Sequence, residues 1–233
     1  ERAPEFRFEN GHFTMVGLKV EGRPLTRAYS MASANHEDTL EFFSIKVPDG
    51  ALTSRLKDIT PGDRVLISRK PTGTLTRDQL LPGRHLYLLG TGTGLAPFLS
   101  IIKDPATYEH FEKVVLAHGV RRVSDLAYRD YIEHALPRHE YLGEVVSEQL
   151  VYYPTVTREP FRNEGRITAA LESGTLPARA GLPPLSVAED RFMICGSPTV
   201  LADVGALLDA RGFRQTRSSD LGEYTIERAF VEK

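Results

Sequence analysis

Three alternating glycines interrupt an apolar run at Tyr87-Leu88-Leu89-Gly90-Thr91-Gly92-Thr93-Gly94-Leu95-Ala96-Pro97-Phe98. The run before them has the length of a buried strand. Pro97 suits the first turn of a helix, where its missing N–H would have no partner anyway. Glycines in such a turn let backbone N–H groups approach an anion, and the helix start adds partial positive charge. This is chemistry for the pyrophosphate of a dinucleotide. Gly90, Gly92 and Gly94 spell neither G-x-G-x-x-G nor a lysine-bearing phosphate loop, and a ligand-free strand-to-helix turn would use the same residues.

A second group lies earlier, at Arg27-Ala28-Tyr29-Ser30. In a strand, period two puts Arg27 and Tyr29 on one face and Ala28 and Ser30 on the other. An arginine beside a planar ring offers a fork for phosphate and a platform for stacking, which a phosphate-bearing aromatic cofactor requires. An exposed Arg–Tyr pair on a sheet surface is the ordinary alternative. Arginines recur after later strands: Arg121 past a strand ending at His118, Arg158 past one ending near Thr157, and Arg166 soon after. Positions just past strand C-termini are where parallel sheets bind ligands, while Arg122 and Arg162 read as solvated. Cys195 also ends a strand on that side, although a free cysteine usually acts as a small hydrophobe.

The elements that must position these residues change character partway along. His12 to Val20, Leu25 to Met31, Leu40 to Val47 and Arg64 to Ser68 read as strands, with a short helix over Ala51 to Ile59. After Pro82-Gly83 strands and helices alternate. Strands are expected at His85–Leu89, Lys113–His118, Leu150–Val156, Arg191–Cys195 and Glu223–Phe230. Helices are expected near Leu95–Lys103, near Asp125–Leu136 with Ser124 as N-cap, near Arg166–Leu171 with Gly174 as stop, and after Ser197-Pro198 up to Gly212. Alternation of this kind implies a parallel sheet. The chain reads as two domains, an antiparallel β domain at 1–83 and an α/β domain at 84–233.

The chain has 233 residues, 41% hydrophobic and 26% charged, which is ordinary for a globular protein. A net charge of −2 gives no global basic field for nucleic acid or an anionic membrane. The single cysteine excludes an internal disulfide and suits a reducing compartment. The apolar stretch around the glycine turn is too short and too interrupted to span a bilayer, and the opening Glu1-Arg2-Ala3-Pro4-Glu5 lacks signal-peptide character. A cytoplasmic monomer is the expectation.

Taken together with Phe42-Phe43-Ser44-Ile45-Lys46-Val47, Gly50-Ala51-Leu52-Thr53-Ser54 and Cys195-Gly196-Ser197-Pro198, these motifs resemble, in order, the ferredoxin–NADP reductase family. The closing Ala229-Phe230-Val231-Glu232-Lys233 is similar to its bacterial branch, and the resemblance runs from Phe8 to Lys233. It implies a β-barrel flavin domain followed by an NADP-binding α/β domain. It also implies an enzyme that uses FAD to exchange hydride with NADP(H) and single electrons with ferredoxin or flavodoxin.

The resemblance carries over residue by residue. Arg27 would meet the FAD pyrophosphate, Ala28 would lie in the same flavin-binding strand, Tyr29 would stack on the isoalloxazine, and Ser30 would lie near its N5. Phe43, Ser44, Ile45, Lys46 and Val47 would line the ring and nucleotide, and Ala51, Leu52, Thr53 and Ser54 would offer N–H groups to the pyrophosphate. Thr93 would sit where flavin meets nicotinamide, with Gly92 and Gly94 beneath the NADP pyrophosphate. Cys195 would flank the nicotinamide carbon that gives up hydride, with Gly196 a further cofactor contact, and Glu227 would stand near the flavin edge. Thr157, Arg158 and Arg166, with Arg121 nearby, resemble the grip on the 2′-phosphate. Ala229, Phe230, Val231, Glu232 and Lys233 would cover the ring, Ala229 standing where plant-type relatives have an aromatic residue. The family's chains begin before the match to Phe8 and its barrel has more strands than can be counted here, so the barrel reads as incomplete and the N-terminus as truncated. Alternative readings are a flavin reductase or diaphorase acting on small molecules, or a non-catalytic nucleotide-binding module. No Cys or His spacing suggests a metal or iron–sulfur centre.

Overall fold

A computed structural model of the chain describes residues 2–3, 5–47, 49–217 and 220–228. Its first part is an antiparallel sheet built on a hairpin, β1 (Phe13–Val20) and β2 (Arg23–Ser30). The two-residue turn between them has positive φ at both positions, 48° at Glu21 and 81° at Gly22, which matches the twist of the strands it joins. Register pairs Thr14 with Tyr29 and Val16 with Arg27. A short β3 (Leu66–Ile67) pairs with the other edge of β1, so the sheet among the described residues is open, in the order β2-β1-β3. Single bridges at Phe13–Thr72 and Met31–Phe42 extend it.

The second part is a parallel sheet of β4 (His85–Thr91), β5 (Lys113–Val120), β6 (Leu150–Val156), β7 (Asp190–Gly196) and β8 (Tyr224–Arg228). Among the described residues its order is β6-β5-β4-β7-β8. Successive β4 residues feed opposite cores: Leu86 and Leu88 join Phe98, Leu99 and Leu116 on one face, Tyr87 and Leu89 join Ala117, Ile194 and Val204 on the other. Helices therefore cover both faces, which is why these strands read as continuous apolar runs. Each fully buried Leu or Phe contributes about 1.5–3 kcal/mol. From β4 the chain winds outward through β5 to β6, then returns to β4's other side for β7 and β8. The reversal makes the C-terminal ends of β4 and β7 the switch point where open α/β sheets bind ligands.

The helices are α1 (Thr53–Leu56), α2 (Ala96–Ile102), α3 (Pro105–His110), α4 (Gly143–Gln149), α5 (Ile167–Glu172), α6 (Thr175–Arg179) and α7 (Pro198–Ala210). α7 starts as its sequence predicts, with the Ser197 hydroxyl accepting from Val200 N and Pro198 in the first turn. It stops near Gly212, at φ 86°.

The structure corrects several boundaries. Leu40–Val47 forms no continuous strand: Glu41 and Phe42 pair with Ala32 and Met31, but at the other end Val47 N and O both meet the Thr53 hydroxyl at 3.2 Å and Gly50 N donates to Val47 O. No single helix spans 125–136 and Ser124 caps nothing. Asp125 instead accepts from Arg122 N at 3.0 Å in a 3-10 turn over Val123–Asp125, Tyr128 takes φ 60°, and a π-helical turn follows over Tyr131–Ala135. α3 adds a helix the sequence reading does not contain, capped by Asp104 and opened by Pro105. Ala229, Phe230, Val231, Glu232 and Lys233 lie outside the described residues, so the expected tail over the flavin is not placed.

Two seams join the domains. Along one, Leu81 N donates to Gly222 O at 2.9 Å, Thr74 Oγ1 to Ile226 O at 3.1 Å and Thr225 Oγ1 to Thr74 O at 3.0 Å. The buried Arg191 guanidinium collects the carbonyls of Leu81 and Pro82 at the crossing point. Along the other seam α2 meets the β domain, where Ser100 Oγ donates to Asn10 Oδ1 at 2.9 Å.

Candidate functional site

The glycine turn sits at the switch point. Gly90 on β4 pairs with His118 on β5 and with Cys195 on β7. A 3-10 turn over Gly92–Leu95 carries the chain into α2, and Gly92 has φ 55°. A Cβ on Gly94 would stand 2.3 Å from Cys195 O, and one on Gly196 would stand 2.2 Å from Thr91 Oγ1. The first is a clash with backbone that cannot move aside, so Gly94 lets the turn pack directly on the Cys195 carbonyl, while the second leaves room at Gly196 for the Thr91 hydroxyl. The Thr93 hydroxyl is buried there and has no hydrogen-bond partner among the described residues. A backbone-lined cradle with an orphan donor fits a dinucleotide at this place.

His118 supports the cradle from below, its Nε2–H donating to Gly92 O at 3.1 Å. Burial lowers its pKa to about 4, with the bond to Gly92 opposing. The ring is therefore neutral, and the carbonyl selects the tautomer protonated on Nε2.

Cys195 and Glu227 are register partners on β7 and β8. Burial, then the nearby Glu227 carboxylate, pushes the Cys195 thiol well up. It is a thiol rather than a nucleophilic thiolate. Burial also raises the Glu227 carboxyl to about 7, while Thr74 N, donating to Oε2 at 3.0 Å, pulls the other way. Thr74 belongs to the β domain, and a Cβ on the adjacent Gly73 would come 2.9 Å from Glu227 Oε2. From Thr74 the path to the expected flavin strand is short: Thr72 bonds Phe13 at 2.8 and 3.0 Å, and Phe13 pairs with Ser30.

On β2 the Arg27 guanidinium is exposed, with Nη1 donating to Thr26 O at 2.8 Å, and Tyr29, on the same face, is half-buried. Ala28 is exposed and Ser30 half-buried on the other face. Among the expected nucleotide-lining residues, Ser44, Ile45, Lys46 and Ala51 are exposed and Leu52 is buried, while Val47, Thr53 and Ser54 are half-buried. Ser54 N donates to Gly50 O at 3.0 Å. Phe43 turns toward the second domain, its ring edge-on to Tyr128 at 5.5 Å and 78°.

The arginines separate into two sets. Thr157 N and Oγ1 both bond Val120 O, at 3.1 and 3.3 Å, and Arg158 N bonds Arg121 O at 2.9 Å. Arg121, Thr157 and Arg158 thus share the C-terminal ends of β5 and β6. The following loop folds back, Gly165 N donating to Val156 O at 2.9 Å, and delivers Arg166 as the residue preceding α5. These three arginines are exposed, and none makes an ion pair among the described residues. Arg162, in contrast, pairs with Glu133 and lies 5.6 Å over the Phe161 ring. A trio of uncommitted guanidiniums at a sheet's ligand edge suits a phosphate dianion.

Sequence reasoning missed His118, whose only signal was its position at a strand end beside the glycine turn, and the Thr74 amide, which carried none. Among the described residues no group of three His, Cys, Asp or Glu side chains could hold a metal ion, and no helix is long and apolar enough to cross a membrane.

Comparison with known proteins agrees with this geometry. A family model described as an oxidoreductase FAD-binding domain matches residues 1–76, and one described as an oxidoreductase NAD-binding domain matches residues 88–205. A ferredoxin–NADP reductase of Pseudomonas aeruginosa is 61% identical over 233 residues, 100% of this chain and 90% of its own length. A flavodoxin/ferredoxin–NADP reductase of Rhodobacter capsulatus is 45% identical over 231 residues, 99% of this chain and 86% of its own. A crystal structure of a ferredoxin NADP+ reductase from Neisseria gonorrhoeae with bound FAD and NADP superposes with a TM-score of 0.89 at 30% identity, covering 99% of this chain and 90% of that one. At 61% and 45% identity to these reductases over 99% or more of its length, with an FAD-binding domain on an antiparallel sheet followed by an NAD-binding domain on a parallel one, the chain belongs to the ferredoxin–NADP reductase family.

Proposed function

We propose that the chain is an FAD-dependent oxidoreductase that exchanges hydride with NADP(H) and single electrons with ferredoxin or flavodoxin. The observation that carries this reading is the convergence at Glu227. There the end of the parallel sheet, beside Cys195 and the glycine turn, meets Thr74 of the antiparallel domain, two residues along the chain from Thr72, which bonds Phe13, the register partner of Ser30 at the end of β2. A flavin held there would supply the capacity to accept two electrons as hydride and to release them singly to a redox protein.

The chain's own residues bind, orient and exclude water. Arg27, with Ala51 to Ser54, holds the FAD phosphates, Tyr29 provides the stacking platform, and Ser30 with Phe43 to Val47 lines the ring. Gly92, Thr93, Gly94 and Gly196 cradle the NADP pyrophosphate, and Arg121, Thr157, Arg158 and Arg166 hold its 2′-phosphate. Cys195, a buried neutral thiol, offers the nicotinamide a soft surface that does not compete for hydride. Glu227 holds a proton near neutral pH beside the reacting edge. The boundary between the domains falls at 83/84, and the enzyme works as a cytoplasmic monomer.

The test is direct. Purified protein should carry a flavin absorption band, NADPH should bleach it anaerobically, and ferredoxin or flavodoxin should restore it at a rate that falls with salt. Protein without flavin, or rapid reoxidation by small acceptors only and without salt dependence, would contradict the proposal.

A further inference from the structure

α2 begins at the glycine turn and ends at Lys103, a span of about 10 Å at 1.5 Å per residue. Lys103 is almost fully buried, an unusual place for an ammonium group. Its Nζ donates to Ala32 O at 3.1 Å and meets Glu37 Oε1 at 3.3 Å and Glu41 Oε2 at 3.5 Å, all in the β domain. Its remaining side faces the Tyr131 ring, 5.4 Å from the centroid. A second contact converges on the same carboxylate, the Tyr128 hydroxyl donating to Glu41 Oε1 at 2.6 Å. Tyr128 does this from φ 60°, a conformation that bulky residues avoid, and the π-helical turn starting at Tyr131 follows at once. Backbone strain persists where surrounding contacts enforce it. Here the contacts are Glu41 and the ring of Phe43, two residues further along the β domain.

We propose that Lys103 and Tyr128 form a latch between the two domains, positioning residues that set how the nicotinamide cradle faces the flavin strand segment and so govern hydride transfer. This rests on the function proposed above. The latch joins the far end of the helix that carries the cradle to Glu37 and Glu41, on the stretch leading into Phe43. Neither residue reaches the reacting groups. They act through α2 on one side and through Glu41 and Phe43 on the other. Both carboxylates have access to water, so removing the ammonium lets them rehydrate and the fold survives.

The experiment compares wild type, Lys103→Met, Tyr128→Phe and Lys103→Arg as FAD-loaded proteins. Anaerobic stopped-flow reduction by NADPH is read beside amide hydrogen exchange at residues 32–43. Lys103→Met should slow flavin reduction about tenfold and Tyr128→Phe about threefold, with the apparent KM for NADPH within about twofold of wild type. Exchange at residues 32–43 should rise in both, and Lys103→Arg should recover most of the rate. A lowered Tm with wild-type reduction rate and wild-type exchange would make these residues ordinary stabilisers and overturn the latch. A raised KM at unchanged maximal rate would place them in nucleotide binding and overturn it equally. A wild type that NADPH does not reduce would overturn the function and the latch together, whereas a reduced wild type with equally fast variants would overturn the latch alone.

Discussion

Replacing Glu227 by Gln removes a titration whose size follows from the site. An ordinary glutamate titrates near 4.5, and burial raises Glu227 to about 7. Between these values the folded protein keeps a proton that the unfolded chain has lost. Stability contributed by the protonated carboxyl is therefore present at low pH, falls as pH rises through the window from 4.5 to 7, and stays low above it. The full difference corresponds to at most about 3 kcal/mol, and the side chain's partial exposure brings the expectation to about 1–3 kcal/mol. Gln has the same shape, cannot ionise, and keeps an oxygen for Thr74 N. Urea unfolding of FAD-saturated protein at about pH 5 and about pH 8 reads the effect as a change in the difference between variant and wild type, so other titrating groups cancel. The variant should gain about 1–3 kcal/mol on wild type between the two conditions. An equal difference at both pH values would refute the argument that burial at the domain seam holds this carboxyl protonated.

Replacing Arg158 by Ala should raise the apparent KM for NADPH about tenfold, the exposed end of the range for a charge-assisted hydrogen bond. NADH kinetics should stay nearly constant, because the contact touches only the extra phosphate, and steady-state rates with both nucleotides check this. Wild type should prefer NADPH over NADH by roughly 10²–10³-fold, since two such contacts are at stake. Gly94→Ala drives a methyl to 2.3 Å from Cys195 O, a backbone atom with nowhere to go. Overpacking of this kind should cost about 1–3 kcal/mol in the urea midpoint and weaken NADP+ binding measured by difference spectroscopy.

How much of this was legible in the sequence depends on the range of the interaction concerned. The Ser197 cap, Pro198 and Gly212 announced α7 because a helix is terminated by its own neighbours. The buried strands announced themselves because both faces are covered and nearly every residue is apolar. Local patterns misled where a contact outside the pattern decides. Phe42 to Val47 has strand-forming residues, yet the Thr53 hydroxyl captures Val47, and only Phe42 bridges a neighbour. The 125–136 stretch has helical spacing, yet Tyr128 leaves helical geometry to reach Glu41, 87 positions away. The same holds for the site. The glycine turn and the arginines after β5 and β6 were visible as motifs, because the fold places strand ends together by rule. His118 under Gly92, Thr74 against Glu227 and the buried Lys103 were not, since nothing within a few residues of them signals the contact.

The central claim is that the switch-point cradle presents nicotinamide to a flavin on the neighbouring domain in one fixed orientation. Stopped-flow reduction of the FAD-loaded enzyme with NADPH deuterated at either of the two C4 positions tests it most directly. The account predicts bleaching of the flavin band with a primary isotope effect for one isotopomer and none for the other. Equal isotope effects from both, or no bleaching at all, would contradict it.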